Sequence, residues 1–588
     1  MRKPCEQLLD PPSSSGIELE PSPKRYSREQ DKARPPAQTV EWVRERFKAS
    51  GLELLSRCER IDTGRLGIPV YASFCAPAAT ALTGTQKQMG KGASPVQAEA
   101  SALMELAERV SFFHFIRCHR WKRVRVQELT GPAMDLAEAA KAVGHPPEDM
   151  ARATAAIALL PQRWCWARQL ASGEQRLIPL DWFYAINEYN GPAAGNTQPE
   201  AIVQALCEVV ERHVCAVVTH QRMCTPEIDP ASITDPIAVE LLKKYKAAGV
   251  QVVLRDYTLG MGIPSVAALA WDPSTFPHSS EIVYAAGTAT SPAKALIRAL
   301  TEVAQLAGDF CRATSYLTSA LPKFSTLEEA HYVLEPAGRV GLDELPSVAR
   351  EDFTQEIAAC TEALAAKGLS VWAINTTHPR LQVPAVYVIV PGAQFAERTT
   401  GTDAFFHTAS LAARLEPSEA LSVLCGLEEI TGPTYYTAFF RAVALNALGQ
   451  SEQALEALSL AESLGVPQRE LGGVIAQKAE ALKNLGRYEQ ALEITAKAES
   501  LPEPHPELFN IKGACLFALA RYPEAMEAFA RAVELDPGQA INYANIGSCL
   551  RRMGLMAEAK QMYLSALEID PTLEIAHQGL MLINNPPD

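Results

Sequence analysis

The sequence predicts a mixed α+β core followed by an all-α solenoid of helical repeats. Between about residues 36 and 416, β-branched runs alternate with Ala- and Leu-rich stretches, the mark of intermixed sheet and helix. Within that region three proline-led helical segments share one pattern of carboxylates, and from about residue 431 a different unit recurs every 34 to 37 residues. With 588 residues the chain is too long for one core. The expected organisation is a flexible N-terminal tail over 1–36, an α+β domain over 37–416 and a repeat domain over 417–588.

The tail is rich in Pro, Ser and charge, from Pro11 and Pro12 to Lys24 and Arg25. It cannot bury enough apolar surface to order itself unless it docks on the main domain. In the core, Pro69 precedes Val70 and Tyr71, Pro264 precedes Ser265 and Val266, and Pro384 precedes Ala385 and Val386. Proline at the head of an apolar run fits the first residue of a strand. In the last part Ala454, Ala491, Ala525 and Ala559 stand 37, 34 and 34 residues apart, each after a turn at Gly449, Gly486, Ala520 or Gly554. The small alanine lets two helices approach, and stacked pairs share one core. This pattern resembles tetratricopeptide repeats, which implies a surface for a peptide or a partner protein.

The three core segments carry the chemistry. Ser94 and Pro95 lead to Leu103, Glu105, Glu108 and Arg109; Pro199 leads to Leu206, Glu208, Glu211 and Arg212; Pro292 leads to Leu300, Glu302 and Gln305. Proline in the first turn predicts a helix at each, and carboxylates three apart share a face. Ala98, Ser101, Ala102, Leu106 and Val110 are expected to pack on the opposite side. Like charges at this spacing repel unless a cation sits between them. Glutamates converging from three helices would cage a hard divalent cation such as Mg²⁺, whose other positions go to water and phosphate. The glycine-bearing stretches 88–94 and 189–197 are expected as loops that offer backbone amides to anionic oxygens.

Gly90-Lys91-Gly92 with Ser101, Glu105, Glu108 and Arg109, then Ala194-Gly195-Asn196-Thr197 with Glu200, Glu208, Glu211 and Arg212, then Arg298 and Glu302 together resemble the YcaO family. The resemblance covers about residues 24–392. It implies ATP and Mg²⁺ as cofactors, in a fold distinct from the Rossmann and P-loop types. The implied reaction is phosphorylation of a peptide amide oxygen followed by attack of a nucleophile, giving azolines, amidines or thioamides. Carried over by position, Glu105, Glu108, Glu208, Glu211 and Glu302 would hold Mg²⁺. Lys24, Lys91, Asn196, Glu200, Arg212 and Arg298 would contact the nucleotide, with Glu208, Glu302 and Arg298 as the catalytic group. Arg109 would orient the glutamates. Azoline-forming members end in an alternating proline tail, whereas this chain runs into helical repeats, which disfavours a standard azoline cyclodehydratase. The family also includes accessory factors for methylthiolation of a ribosomal protein, so a non-catalytic adaptor that recruits a sulfur-donor or methylthiotransferase partner is the alternative.

Composition narrows the remaining classes. Lys and Arg total 54 against 68 Asp and Glu, a formal charge of −14, which opposes non-specific binding to a phosphate backbone, so no nucleic-acid partner is expected. No apolar run approaches the length of a membrane-spanning helix, and the opening residues lack the apolar stretch of a secretory signal. Thirteen cysteines without a C-x-x-C pair predict reduced thiols and a cytoplasmic protein. Cys207, His213, Cys215, His220 and Cys224 match no zinc spacing and are expected to be structural. The sequence is silent on oligomeric state, and a homodimer stands only as the commonest assembly in general.

Overall fold

The computed structural model describes residues 16–62, 65–117, 121–187, 189–306, 324–396, 402–498 and 506–584. The first fifteen residues of the expected tail lie outside that set. The chain divides into two compact units, Met1–Met150 with Pro161–Gly401, and Ala151–Leu160 with Thr402–Asp588.

Among the described residues the first unit holds three sheets. Strands β1 (Leu55–Arg60), β2 (Val70–Cys75) and β3 (Lys87–Lys91) form an antiparallel meander. Strands β4 (Trp164–Gln169), β5 (Gln175–Pro179), β6 (Pro192–Ala194), β12 (Trp372–Asn375) and β13 (Ala385–Ile389) pair in the order β5-β4-β12-β13-β6. The third sheet takes β7 (Glu227–Ile228), β8 (Gln251–Asp256), β9 (Ser265–Trp271), β10 (Val283–Thr288) and β11 (Arg339–Val340) in the order β10-β9-β8-β7-β11, with β7 and β11 parallel. Pro69, Pro264 and Pro384 stand immediately before β2, β9 and β13, where a missing N–H costs no ladder bond.

Helices α1 (Pro95–Arg117), α2 (Gln198–Gln221) and α3 (Pro292–Leu306) each start at or beside a proline, as the sequence leads one to expect. Thr197 caps α2, its hydroxyl accepting from the Glu200 N–H at 3.3 Å. Each helix packs on the short strand that precedes it, and a glycine permits the approach. A Cβ on Gly90 would stand 2.0 Å from Ala102 N, one on Gly195 2.5 Å from Ala201 N, and one on Gly287 2.4 Å from Ala299 N. The stretches expected as anion-cradling loops are strand in part, over Lys87–Lys91 and Pro192–Ala194; Gly90, Gly92 and Gly195 approach a helix, whereas a Cβ on Gly191 would meet Val388 O of β13.

Residues 16–35 do not run free. Ile17 and Ala33 are buried, Lys24 N donates to Glu351 O and Phe353 N to Ser22 O, both at 3.0 Å, and the Ser22 and Thr197 hydroxyls bond at 2.7 Å. The expectation of a flexible tail is corrected for this strap, which docks through backbone and polar contacts that its composition does not advertise.

The second unit stacks helix pairs α4 (Tyr435–Ala447) and α5 (Ser451–Ser463), α6 (Leu471–Asn484) and α7 (Tyr488–Ala498), α8 (Pro506–Ala518) and α9 (Tyr522–Leu535), and α10 (Ala540–Arg552) and α11 (Met556–Ile569), followed by α12 (Glu574–Asn584). Gly449, Gly486, Ala520 and Gly554 turn the pairs at φ 73°, 73°, 57° and 82°, the left-handed region that favours glycine. Ala454, Ala491, Ala525 and Ala559 are fully buried at the helix crossings. Helices Ala404–Ala412 and Pro417–Thr431 belong to this unit, as does most of Met150–Ala158, where Arg152 donates to Ile430 O at 2.8 Å. The division thus falls near 401, upstream of the expected 416. No helix of the described residues is long and apolar enough to cross a membrane.

Candidate active site

The site is walled by one face of each of three helices. Leu103, Leu206 and Leu300 are fully buried anchors. The positions six and two before each anchor, and two and five after it, are Gln97, Ser101, Glu105 and Glu108 on α1; Glu200, Gln204, Glu208 and Glu211 on α2; and Lys294, Arg298, Glu302 and Gln305 on α3. Steps of four, four and three residues stay on one helical face. All of these except Lys294 line a single cleft of about 380 Å³, together with Lys91, Arg109, Asn196 and Arg212. Ala98, Ala102, Leu106 and Val110 turn the other way into the core. Ser101, expected in that packing stripe, faces the cleft instead because it lies four residues from both Gln97 and Glu105.

The charges interlock. Arg109 Nε donates to Glu105 Oε1 at 2.9 Å, and the same guanidinium lies 3.6 Å from Glu108. Arg298 Nε donates to Glu211 Oε2 at 3.1 Å, and that oxygen also accepts from Thr288 N at 3.0 Å. The Lys91 ammonium lies against Glu302. Burial, reinforced by Glu105 and Glu208, holds the Glu108 carboxyl well above its usual range, and burial raises Glu208 too. Burial, and next the Arg298 charge, pushes the Lys91 ammonium down to about 7.

Carboxylates and cations thus share one water-poor cleft, with burial the largest cause of the Glu108, Glu208 and Lys91 shifts. A magnesium–triphosphate brings both signs at once, so these residues fit the group that the sequence implies. Among the described residues no three His, Cys, Asp or Glu side chains are placed to hold a metal ion by themselves. The glutamates therefore do not close into the expected cage by themselves, and Mg²⁺ takes one or two carboxylates and completes its shell with water and phosphate oxygens. Glu105, Glu108, Glu208, Glu211 and Glu302 are the carboxylates available to it.

Toward the first turns of the helices the lining side chains bond to one another and to the strap. Asn196 Nδ2 donates to Glu200 Oε1 and Oε2 at 3.1 Å, while Asn196 Oδ1 accepts from the Thr39 hydroxyl at 2.9 Å. Glu200 also accepts from Ala33 N at 2.8 Å and lies 3.4 Å from the Lys32 ammonium. Lys24 is the one residue of the expected nucleotide set that does not line the cleft. Its ammonium pairs with Asp31 at 2.8 Å and with Glu356 at 2.5 Å, and so it anchors the strap.

Sequence reasoning missed the strap residues Glu29, Asp31 and Lys32, because their partners lie too far along the chain for any spacing to reveal them. Gln97, Gln204 and Lys294 were within reach: aligning the three helices on their anchor leucines places all three on the site face.

Comparisons with known proteins cover both units of the chain. Residues 89–394, more than half of the chain, match the family model described as YcaO cyclodehydratase, ATP- and Mg²⁺-binding, and residues 506–539 and 540–573 match tetratricopeptide repeats. A protein of Methanothermobacter thermautotrophicus without an assigned activity is 28% identical over 378 residues, 61% of this chain and 93% of the relative. The ribosomal protein S12 methylthiotransferase accessory factor YcaO of Escherichia coli is 33% identical over 99 residues, 16% of this chain and 17% of that protein. A heterocyclase structure in complex with substrate and cofactor superposes with a TM-score of 0.53 at 23% identity, covering 66% of this chain and 56% of its own. It shares the fold, and this chain spans just over half its length.

Proposed function

We propose, for a chain that belongs to the YcaO family, that the cleft uses ATP and Mg²⁺ to O-phosphorylate a backbone amide of a peptide or protein, readying its carbon for a sulfur or other nucleophile. The observation that carries the reading is the meeting of Glu105, Glu108, Glu208, Glu211 and Glu302 with Arg109, Arg212 and Arg298 in one cleft. ATP supplies the phosphoryl group, and Mg²⁺ offsets the charge on its oxygens.

The chain's own residues bind and orient. Glu208 and Glu302, from different helices of the same cleft, would hold the metal, and Arg109 fixes the direction of Glu105 and Glu108. Arg298, braced by Glu211, presents a guanidinium suited to charge that builds on phosphoryl oxygens. Arg212 and Lys91 add positive charge to the same wall, while Asn196 and Glu200 hold the nucleotide further along. The repeat unit would dock the substrate or a partner. Free thiols at all ten described cysteines support a cytoplasmic setting.

The 33% identity to a methylthiotransferase accessory factor favours a second reading, an adaptor whose repeats recruit a sulfur-modifying enzyme. Release of ADP and phosphate separates the two. Mg²⁺-dependent turnover that Glu208→Gln abolishes, with the fold intact, supports the enzyme, whereas full turnover in that variant overturns the assignment. Tight nucleotide binding with no hydrolysis, even beside a partner captured on the repeat unit, supports the adaptor.

A further inference from the structure

Gln97 is a cleft residue to which the proposed reaction gives no role. It is 4% exposed and lines the cleft, and its Oε1 has no hydrogen-bond partner. A buried acceptor left open is costly, and it marks where a donor from outside the chain belongs.

The strap explains why this acceptor is open. It crosses the N-terminal ends of all three helices. Glu29 accepts from Ser94 N at 2.9 Å and from the Ser94 hydroxyl, just before α1. Ala33 N reaches Glu200 on α2 at 2.8 Å. Lys294 on α3 pairs with Asp31 and donates to Ser27 O at 3.1 Å. Gln97, Glu200 and Lys294 occupy the same register position, six before the anchor leucine. Two of the three side chains are tied to the strap. At α1 the strap engages Ser94 instead, and Gln97 lines the cleft with its buried Oε1 unpartnered.

Eight residues separate Gln97 from Glu105, about 12 Å along the helix. The triphosphate belongs beside the carboxylates and arginines, so the uncharged half of the nucleotide extends toward the first turns, where Gln97 and Asn196 stand. We propose that Gln97 is a nucleoside-binding residue, its Oε1 accepting a hydrogen bond from an O–H of the ribose or the N–H of the adenine amino group. The proposal rests on the reading of the cleft as a magnesium–ATP site.

Calorimetric titration of the full chain in Mg²⁺, with a non-hydrolysable ATP analogue and separately with inorganic triphosphate, tests it. Gln97→Leu weakens the analogue about five- to tenfold, the scale of one net hydrogen bond, and leaves triphosphate affinity unchanged, which also certifies an intact fold. Analogues lacking the 2′-hydroxyl, the 3′-hydroxyl or the adenine amino group identify the donor: its removal weakens binding to wild type and costs Gln97→Leu nothing further. Equal loss for analogue and triphosphate, no loss for the analogue, or no such donor among the three overturns the proposal. A wild-type chain that binds neither ligand overturns the magnesium–ATP reading itself, and this proposal with it.

Discussion

Replacing Gly287 by alanine adds one carbon where β10 meets α3. That carbon would stand 2.4 Å from the Ala295 carbonyl oxygen, 2.4 Å from Ala299 N and 2.8 Å from Arg298 Cβ. Ordinary contact lies about 1 Å further out, and no rotamer relieves a clash with backbone. Strand β10 is held by pairing along its whole length to β9, so the helix is the element that gives. Overpacking of this kind costs about 1–3 kcal/mol. Helix α3 also carries Arg298 and Glu302, and a shift of about 1 Å in a reacting constellation lowers turnover by on the order of a hundredfold. Urea unfolding and Mg²⁺-dependent ADP release on the same preparation read both effects. A variant within about 0.5 kcal/mol of wild type that keeps full ADP release would refute the claim that this backbone contact sets the position of the site.

Three further outcomes follow from the same physics. Ala520→Gly raises the stability of the repeat unit by about 0.5–1 kcal/mol: an L-residue at φ 57° costs about 1–2 kcal/mol, glycine's unfolded-state freedom takes back part of the gain, and an unchanged melting curve contradicts the account. Lys24→Met leaves the fully buried Glu356 side chain without its cation and costs about 3 kcal/mol; adding Glu356→Gln recovers part of that, and equal losses in the single and double variants would count against the strap anchor. Burial first, then the His114 and Arg380 charges, pushes the His378 imidazole down to about 3, and its Nδ1 accepts from Arg380 N and Leu381 N at 3.2 Å. The unfolded chain, with a histidine pKa near 6.5, then binds the extra proton between pH 6.5 and 3. Stability is full above 6.5 and falls by about 1.4 kcal/mol per unit below it; His378→Gln loses that slope in urea titrations at pH 6.5 and 5.5, and an unaltered slope contradicts the assignment.

Much of the architecture is legible in the sequence because local rules dominate there. Proline fixes φ and lacks an N–H, so Pro69, Pro264 and Pro384 mark strand starts, and Pro95, Pro199 and Pro292 mark helix starts. Helical periodicity alone places Glu105 with Glu108 and Glu208 with Glu211. The glycines were harder. Gly90 and Gly195 look like loop formers, yet their work, like that of Gly287, is to let a helix backbone touch a strand, a close approach that no local pattern distinguishes from a turn. The ion pairs that dock the strap join Lys24 to Glu356 and Asp31 to Lys294, contacts set by tertiary packing and not by spacing. Ser101 is small enough to suit a packing stripe, but its four-residue step from Glu105 sets it on the cleft face.

The most direct measurement is calorimetric binding of a non-hydrolysable ATP analogue to wild type, Glu208→Gln and Glu302→Gln, in Mg²⁺ and in EDTA. Wild type should bind in Mg²⁺ and lose affinity in EDTA, and each variant should weaken the Mg²⁺-dependent binding by about tenfold or more. Equal affinity in all three proteins, or binding indifferent to Mg²⁺, would contradict the claim that carboxylates from separate helices share one metal–nucleotide.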